Sequence, residues 1–226
     1  SECATGVQFA RYWMHNGYIQ INGEKMSKSL GNFITVRQVS EKYDLEVLRM
    51  FLLQVQYRNP INYTDDAILA TKNALDRLYN LKFRLEQIIS EKKDDVSEND
   101  SEWQSALDKY RTAFIAKMDD DLNTADALAV IFDLVREINT SINDDFSSAK
   151  AKAALDMLTE LTGVLGLLKR RTSNSSIDSE IEELIAQRQA ARKNKNWAEA
   201  DRIRDLLKSK GIILEDTKDG VHWKKI

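Results

Sequence analysis

The chain has one cysteine, Cys3, one proline, Pro60, and two histidines among its 226 residues. A single thiol excludes an internal disulfide and fits a reducing compartment. The same scarcity argues against a structural zinc site: Cys3, His15 and Glu2 cannot complete a tetrahedron, and the other histidine is His222. Cys3 reads as a buried small residue. No apolar run approaches the roughly 18 residues that a membrane span needs. The formal charge is only −3, so no global field announces a polyanion partner, and such a site must come from local asymmetry. The opening, SECATGVQFARYW, has no initiator Met and enters in mid-pattern, which reads as a fragment's start rather than a signal peptide.

Glycine is also scarce where it would break helices. Four of the eight (Gly6, Gly17, Gly23, Gly31) fall in the first 31 residues, and no other appears before Gly163. The long stretch between, with one proline, reads as helical. Thr35-x-x-Gln38 is a capping-box pattern. Asp44 caps a helix with Val47, Leu48, Phe51, Leu52 and Val55 on one face. Thr64, followed by Asp65 and Asp66, starts a long helix carrying Leu75, Leu78, Leu81, Leu85 and Ile88. Residues 91–102, EKKDDVSENDSE, hold six acids and two lysines and read as a solvated loop. Ser101-x-x-Gln104 restarts helix. Asp119-Asp120-Asp121 reads as a helix break rather than a metal site, and Thr124 caps a helix with Leu128, Ile131, Phe132, Val135, Ile138 and Ile142. A further helix holds Leu158, Leu161, Leu165 and Leu168. Together they predict an antiparallel bundle over 61–170.

After the polar run KRRTSNSSIDS (169–179) the pattern changes. Ser179-x-x-Glu182 opens a helix, another runs to about Lys210, and the end predicts a hairpin around Asp219-Gly220. From Arg188 to Lys210 there are eight basic residues against three acids, a local excess that suits a polyanion. Solubility charges on a helix face are the alternative. Trp197 among these charges favours RNA, because unpaired bases stack on aromatics while carboxylates and guanidiniums bond base edges.

What remains is GEKMSKSLGNF (23–33), which packs two lysines and two serines into five positions. The default for such a loop is a solvated turn. The ordered string K-M-S-K-S, however, would arise by chance on the order of once in ten thousand chains of this length. It also lies between the strand-like YIQIN (18–22) and a helix start, where phosphate sites form. Displacing pyrophosphate from ATP needs positive charge where negative charge builds, and a lysine ammonium is suited to phosphate oxygens.

KMSKS is the second signature of class I aminoacyl-tRNA synthetases, and YWMHNGYIQINGEKMSKSLGNF resembles the cysteinyl-tRNA synthetase family. So do QYRNPINYT (56–64), MDDDLNTADALAVIFDLVREIN (118–139), RKNKNWAEADRIRDLL (192–207) and GIILEDTKDGVHW (211–223), in order. The resemblance implies a mainly α fold. Residues 1–34 would be the end of a Rossmann-type catalytic domain with the KMSKS loop, and 35–60 a stem-contact region. Residues 61–170 would form a helical bundle of the anticodon-stem-binding type, 171–178 a linker, and 179–226 a small anticodon-recognition domain.

It further implies ATP-dependent activation of cysteine and transfer to tRNA(Cys), in the cytoplasm, with ATP and Mg2+ as reactants and a monomer favoured. Lys28, assisted by Lys25, would contact the ATP phosphates. Met26 would hold the loop near the adenine, and Ser27 and Ser29 would shape it. Arg192, Trp197, Asp201, Arg204 and Asp216 would read the anticodon, and Tyr57 and Arg58 would contact the tRNA stem. For Trp223 a place in the hairpin core is an equal reading. The family's HIGH-type motif and its Zn2+ ligands would lie before the segment matched by Ser1, leaving this part inactive alone. A stand-alone, non-catalytic tRNA-binding module is the alternative.

Overall fold

The computed structural model describes residues 1–91, 100–143, 145–169, 184–185, 187–189, 191–192, 196–209, 212–217 and 220–225. Two compact units divide the chain, Ser1–Lys169 and Arg170–Ile226. The expected helix start at Ser179, the polar linker and most of the acidic run after Glu91 lie outside the described residues.

The first unit begins with α1 (Glu2–Thr5), a single turn that buries none of its residues. Cys3 is therefore exposed, which corrects the expectation of a buried thiol: the short turn that carries it buries no side chain among the described residues. Strands β1 (Ile19–Ile21), β2 (Glu24–Lys25) and β3 (Ile61–Tyr63) make a sheet of order β2–β1–β3. β1 pairs with β2 antiparallel and with β3 in parallel, Ile19 opposite Ile61 and Ile21 opposite Tyr63. Asn22 and Gly23 form the two-residue connection, with φ of 51° and 85°. Both central residues are left-handed, as the tight hairpin turn matching strand twist requires.

Two short helices follow, α2 (Val36–Ser40) and α3 (Leu45–Leu53). The capping box of α2 is complete: Gln38 N–H donates to the Thr35 hydroxyl, and Thr35 N–H donates back to Gln38 Oε1. Asp44 caps α3 through Glu46 N–H. α3 buries Val47, Met50 and Phe51, while Leu52 is exposed. The buried face is the i, i+3, i+4 stripe from Val47, which leaves Leu52 pointing away from it.

The bundle consists of α4 (Asp65–Glu91), α5 (Asp100–Asp119), α6 (Thr124–Ser141) and α7 (Ser148–Val164). Glu91 and residues 100–102 are helical, not part of a loop as the acidic run predicts. Short connections turn the chain back between α5 and α6 and between α6 and α7, giving an up-and-down arrangement. Leu75, Leu78 and Leu85 of α4 meet Ile131, Leu134 and Ile138 of α6 and Leu158 and Leu161 of α7 in one core. Burial of such side chains contributes about 1.5–3 kcal/mol each relative to exposure. Ile88, Phe132 and Ile142 are only half-buried at its edge.

α6 is capped by Asn123, whose Oδ1 accepts from Asp126 N–H. Thr124, expected as the cap, is the first helical residue, and its hydroxyl donates instead to the Leu53 carbonyl at the end of α3. α5 and α7 are tied by Arg111, which bonds both carboxylate oxygens of Glu160 at 2.8 and 2.7 Å and also pairs with Asp108. The Arg111 guanidinium holds the Glu160 carboxyl below the usual carboxylate range. A depressed carboxyl stabilises the fold above its unfolded-state pKa, and this contribution disappears as pH falls through its folded value. Glu160→Gln is therefore expected to cost about 0.5–1 kcal/mol at pH 7, the range for half-exposed pairs. The difference from wild type should begin to shrink as pH falls below the ordinary glutamate range and be gone once pH has passed the depressed folded value, as read in paired denaturant titrations.

In the second unit, α8 (Trp197–Ser209) precedes an antiparallel hairpin of β4 (Ile212–Thr217) and β5 (Gly220–Lys225), with Leu214 opposite Trp223. The side chains of the hairpin, Asp216 and Trp223 included, lie outside the described residues.

Candidate functional site

The Lys/Ser loop leaves the sheet at β2 and returns to α2. Its root is fixed at three points. Met26 N–H donates to the Ile19 carbonyl at 3.3 Å, Gly23 N–H to Asn62 Oδ1 at 2.8 Å, and Asn22 N–H to the Tyr63 carbonyl at 3.1 Å. The hairpin is thus anchored to both β1 and β3. Upstream, Gly17 N–H donates to the Tyr57 carbonyl at 2.6 Å. A Cβ on Gly17 would stand 2.2 Å from the Asn59 carbonyl oxygen, so only glycine fits where these two segments cross.

Within the loop one side chain organises the rest. Asn32 Oδ1 accepts from Ser27 N–H at 2.8 Å, and its Nδ2 donates to the Lys25 carbonyl at 3.2 Å. The Ser27 and Ser29 hydroxyls lie 2.8 Å apart, and Leu30 N–H donates to Ser27 Oγ. The two serines therefore bond to each other and to the backbone of the loop. Lys25 and Lys28 remain exposed, with Lys28 Nζ 5.6 Å from the centre of the Phe33 ring. Gly31 closes the loop with φ of 69°. An internally bonded frame carrying two solvent-facing ammonium groups can receive a polyanion without first breaking an ion pair: among the described residues no carboxylate pairs with either lysine. Asn32 was not among the sequence candidates; its place directly after Gly31, in a Gly-Asn pair that favours a turn, was the available signal.

Tyr57 and Arg58 meet Asp121. The Tyr57 hydroxyl donates to Asp121 Oδ1 at 2.9 Å, Arg58 Nε lies 3.1 Å from Oδ2, and the Arg58 guanidinium sits over the Tyr57 ring. The hydrogen bond with Tyr57 and the charge of Asp121 hold the Arg58 guanidinium above its usual range. Asp121 and Leu122 both have φ near 53°, so the break read from the three aspartates is a left-handed turn whose last carboxylate joins the bundle to residues 56–58.

In α8, Trp197, Asp201 and Arg204 occupy i, i+4 and i+7 of one helix face, about a quarter-turn from the buried Ala200, Ile203 and Leu207. Trp197 is 59% exposed, an unusual position for an indole. Asp201 and Arg204 lie 3.5 Å apart in an exposed pair. The helix start is held by Asn196, whose Oδ1 accepts from Glu199 N–H. Arg192 is exposed, but Arg188 is buried at 6% and drops out of the basic face counted from sequence.

Three family models match the chain in succession. Residues 1–73 match the tRNA synthetases class I (C) catalytic domain, 113–169 the DALR domain, and 174–223 the cysteinyl-tRNA ligase anticodon binding domain. The chain belongs to the class I cysteinyl-tRNA synthetase family. Solved structures of other class I enzymes share its fold. The LeuRS encoded by agnB2 in Agrobacterium radiobacter K84, solved as a ternary complex with tRNA and LeuAMS, aligns at a TM-score of 0.52 with 22% identity over 68% of this chain. Mycobacterium tuberculosis methionyl-tRNA synthetase, bound to methionyl-adenylate, aligns at 0.52 with 20% identity over 73%. The synthetase chain spans 22% and 36% of these two proteins' lengths.

Among the described residues no group of three or more His, Cys, Asp or Glu side chains comes together to hold a metal, so they do not fit a zinc site. No described helix is long and apolar enough to cross a membrane.

Proposed function

We propose that this chain is part of a cytoplasmic cysteine–tRNA ligase, to which it supplies the ATP-phosphate loop and the tRNA-reading surfaces. The observation that carries the reading is the order of the matches: a class I catalytic segment is followed on one chain by the anticodon-binding domain of cysteinyl-tRNA ligases. In the reaction a carboxylate oxygen of cysteine attacks the α-phosphorus of MgATP. The bond to the bridging oxygen breaks and pyrophosphate leaves with its electron pair. A terminal ribose hydroxyl of tRNA(Cys) then attacks the acyl carbon of the adenylate and AMP departs.

Charge accumulates on the departing pyrophosphate, and the exposed Lys28 and Lys25 would stabilise it without giving up a proton. Met26, half-buried and bonded through its N–H to β1, would set the loop beside the adenine, while Ser27 and Ser29 keep its shape. Gly23 and Gly31 give the loop pivots for closing over the nucleotide. Zinc-assisted reading of the thiol is assigned to residues outside this chain. The reading predicts cysteine-dependent pyrophosphate exchange by the complete ligase and none by the 226-residue chain alone; clear exchange by the chain would contradict it.

The anticodon is assigned to Arg192, Trp197, Asp201, Arg204 and Asp216, and the stem to Tyr57 and Arg58. An exposed indole one turn from a carboxylate and two from a guanidinium supports stacking combined with base-edge bonding. Base–aromatic stacking is worth about 1–3 kcal/mol, so Trp197→Ala should weaken tRNA(Cys) binding by roughly 5- to 150-fold. Adenylate formation by the complete ligase should be unchanged, as read by pyrophosphate exchange. Equal affinity of the variant and the parent would remove Trp197 from the reading set.

A further inference from the structure

We infer that Asp121, in the turn between α5 and α6, is a positioning residue for adenylate formation, acting through residues 57–63 on the aim of the Lys/Ser loop. This rests on the reading of that loop as the ATP-phosphate site. The turn sits on the end of α3 and on the segment that follows it. The Thr124 hydroxyl donates to the Leu53 carbonyl at 2.8 Å, and Gln56 Nε2 donates to the Asp121 carbonyl at 3.0 Å. The carboxylate takes the next two side chains. Tyr57 Oη donates to Oδ1 at 2.9 Å, Arg58 Nη2 donates to the same oxygen at 3.2 Å, and Arg58 Nε lies 3.1 Å from Oδ2. The turn does not need that carboxylate to close. Leu122 N–H donates to the Met118 carbonyl at 3.1 Å and Asn123 N–H to the Lys117 carbonyl at 3.2 Å, so its own backbone holds it while the side chain of Asp121 grips the neighbouring segment.

From residues 57 and 58 the path to the loop is a run of backbone bonds. The Tyr57 carbonyl accepts from Gly17 N–H at 2.6 Å, Ile61 N–H donates to the Tyr18 carbonyl at 3.1 Å, and β3 then pairs in parallel with β1. β3 in turn holds the hairpin that carries the loop, through Asn62 Oδ1 on Gly23 N–H at 2.8 Å and the Tyr63 carbonyl on Asn22 N–H at 3.1 Å. Asp121 thus ties the bundle, with its large core, to the strand that aims Lys25 and Lys28. An exposed ion pair of this kind adds only about 0–1 kcal/mol to stability. Its effect on catalysis is larger, because displacing a transition-state donor by about 1 Å costs up to roughly 10²-fold in rate even when the altered residue is remote.

The test is pyrophosphate exchange by the complete ligase carrying Asp121→Asn. Asparagine tolerates the left-handed φ of 53° at this position, so the substitution keeps the turn and removes the charge that holds Arg58. The kcat should fall roughly 2- to 30-fold, the range for residues that act on a site through a bonded network. The KM for ATP should stay within a factor of two, because the loop's lysines act on charge that develops in the transition state. The second arm repeats the substitution in the Lys28→Ala ligase. There it should cost less than about twofold more, since two residues acting through one group are not additive. Glu160→Gln breaks a similarly half-exposed ion pair in the bundle and should leave exchange at the parent rate. Unchanged kcat in Asp121→Asn, the same loss in both backgrounds, or an equal loss in Glu160→Gln would overturn the inference and leave the proposed function standing. Parent-level exchange by Lys28→Ala would overturn both.

Discussion

Lys28→Ala in the complete ligase is expected to slow cysteinyl-adenylate formation by about 10²–10³, the usual cost of deleting one donor to a charge that develops in the transition state. Affinity for tRNA(Cys) should stay within a factor of two. The argument starts from the frame of the loop. Asn32 bonds Lys25 and Ser27, and the two serines bond each other, whereas Lys28 contributes only its carbonyl to a bond with Gly31 N–H and its ring contact with Phe33. Removing its ammonium therefore leaves the frame in place and deletes charge alone. Single-turnover adenylation with matched tRNA-binding titrations separates the outcomes. Parallel losses in both would show that Lys28 supports the structure rather than the phosphates.

Gly17→Ala should have the second large effect, by a different route. The new methyl group would have to occupy space 2.2 to 2.7 Å from the Asn59 carbonyl and the Pro60 nitrogen, all backbone atoms. No rotamer change can relieve that overlap. The segment 57–60 must move away from residue 17, which strains the Gly17 N–H bond to Tyr57 and the Ile61 N–H bond to Tyr18 that lead into the parallel pairing of β1 with β3. Overpacking of this kind costs about 1–3 kcal/mol. The loop hairpin loses its anchor on β3, so adenylation in the complete ligase should fall sharply. Of these residues only Ile61 packs against the bundle core, as a partly buried neighbour, so the bundle should keep its helical signal. A variant with wild-type melting temperature and adenylation rate would show that the crossing is looser than its geometry indicates.

The helical part of the molecule was legible because period and caps agree. Thr35-x-x-Gln38 is a complete capping box, Asp44 caps its helix, and the leucines of α4 and α7 are buried at the positions their spacing marks. Errors came where a tertiary partner outcompeted a local signal. Thr124 looks like a cap, but its hydroxyl is taken by the Leu53 carbonyl and Asn123 does the capping. Leu52 is apolar yet lies off the packing stripe. Arg188 belongs to a basic count in sequence and to the interior in space.

The loop itself was legible as a motif, and its internal frame was not. Asn22-Gly23 is a strong hairpin signal that explains how the loop is aimed, but it was eclipsed by the strand and lysines on either side. Asn32 bonds atoms five and seven residues away, a pairing that periodicity cannot express. The Tyr57–Arg58–Asp121 cluster joins positions more than 60 residues apart, so the stem-contact assignment and the aspartate run were read separately.

The most direct measurement of the central claim is equilibrium binding of the 226-residue chain to tRNA(Cys) and to a second tRNA at one stated salt concentration near 0.15 M. Phosphate attraction acts on both RNAs equally, so discrimination must come from base reading. The account predicts at least about tenfold tighter binding of tRNA(Cys), equivalent to about 1.4 kcal/mol. Equal affinities for the two would contradict it.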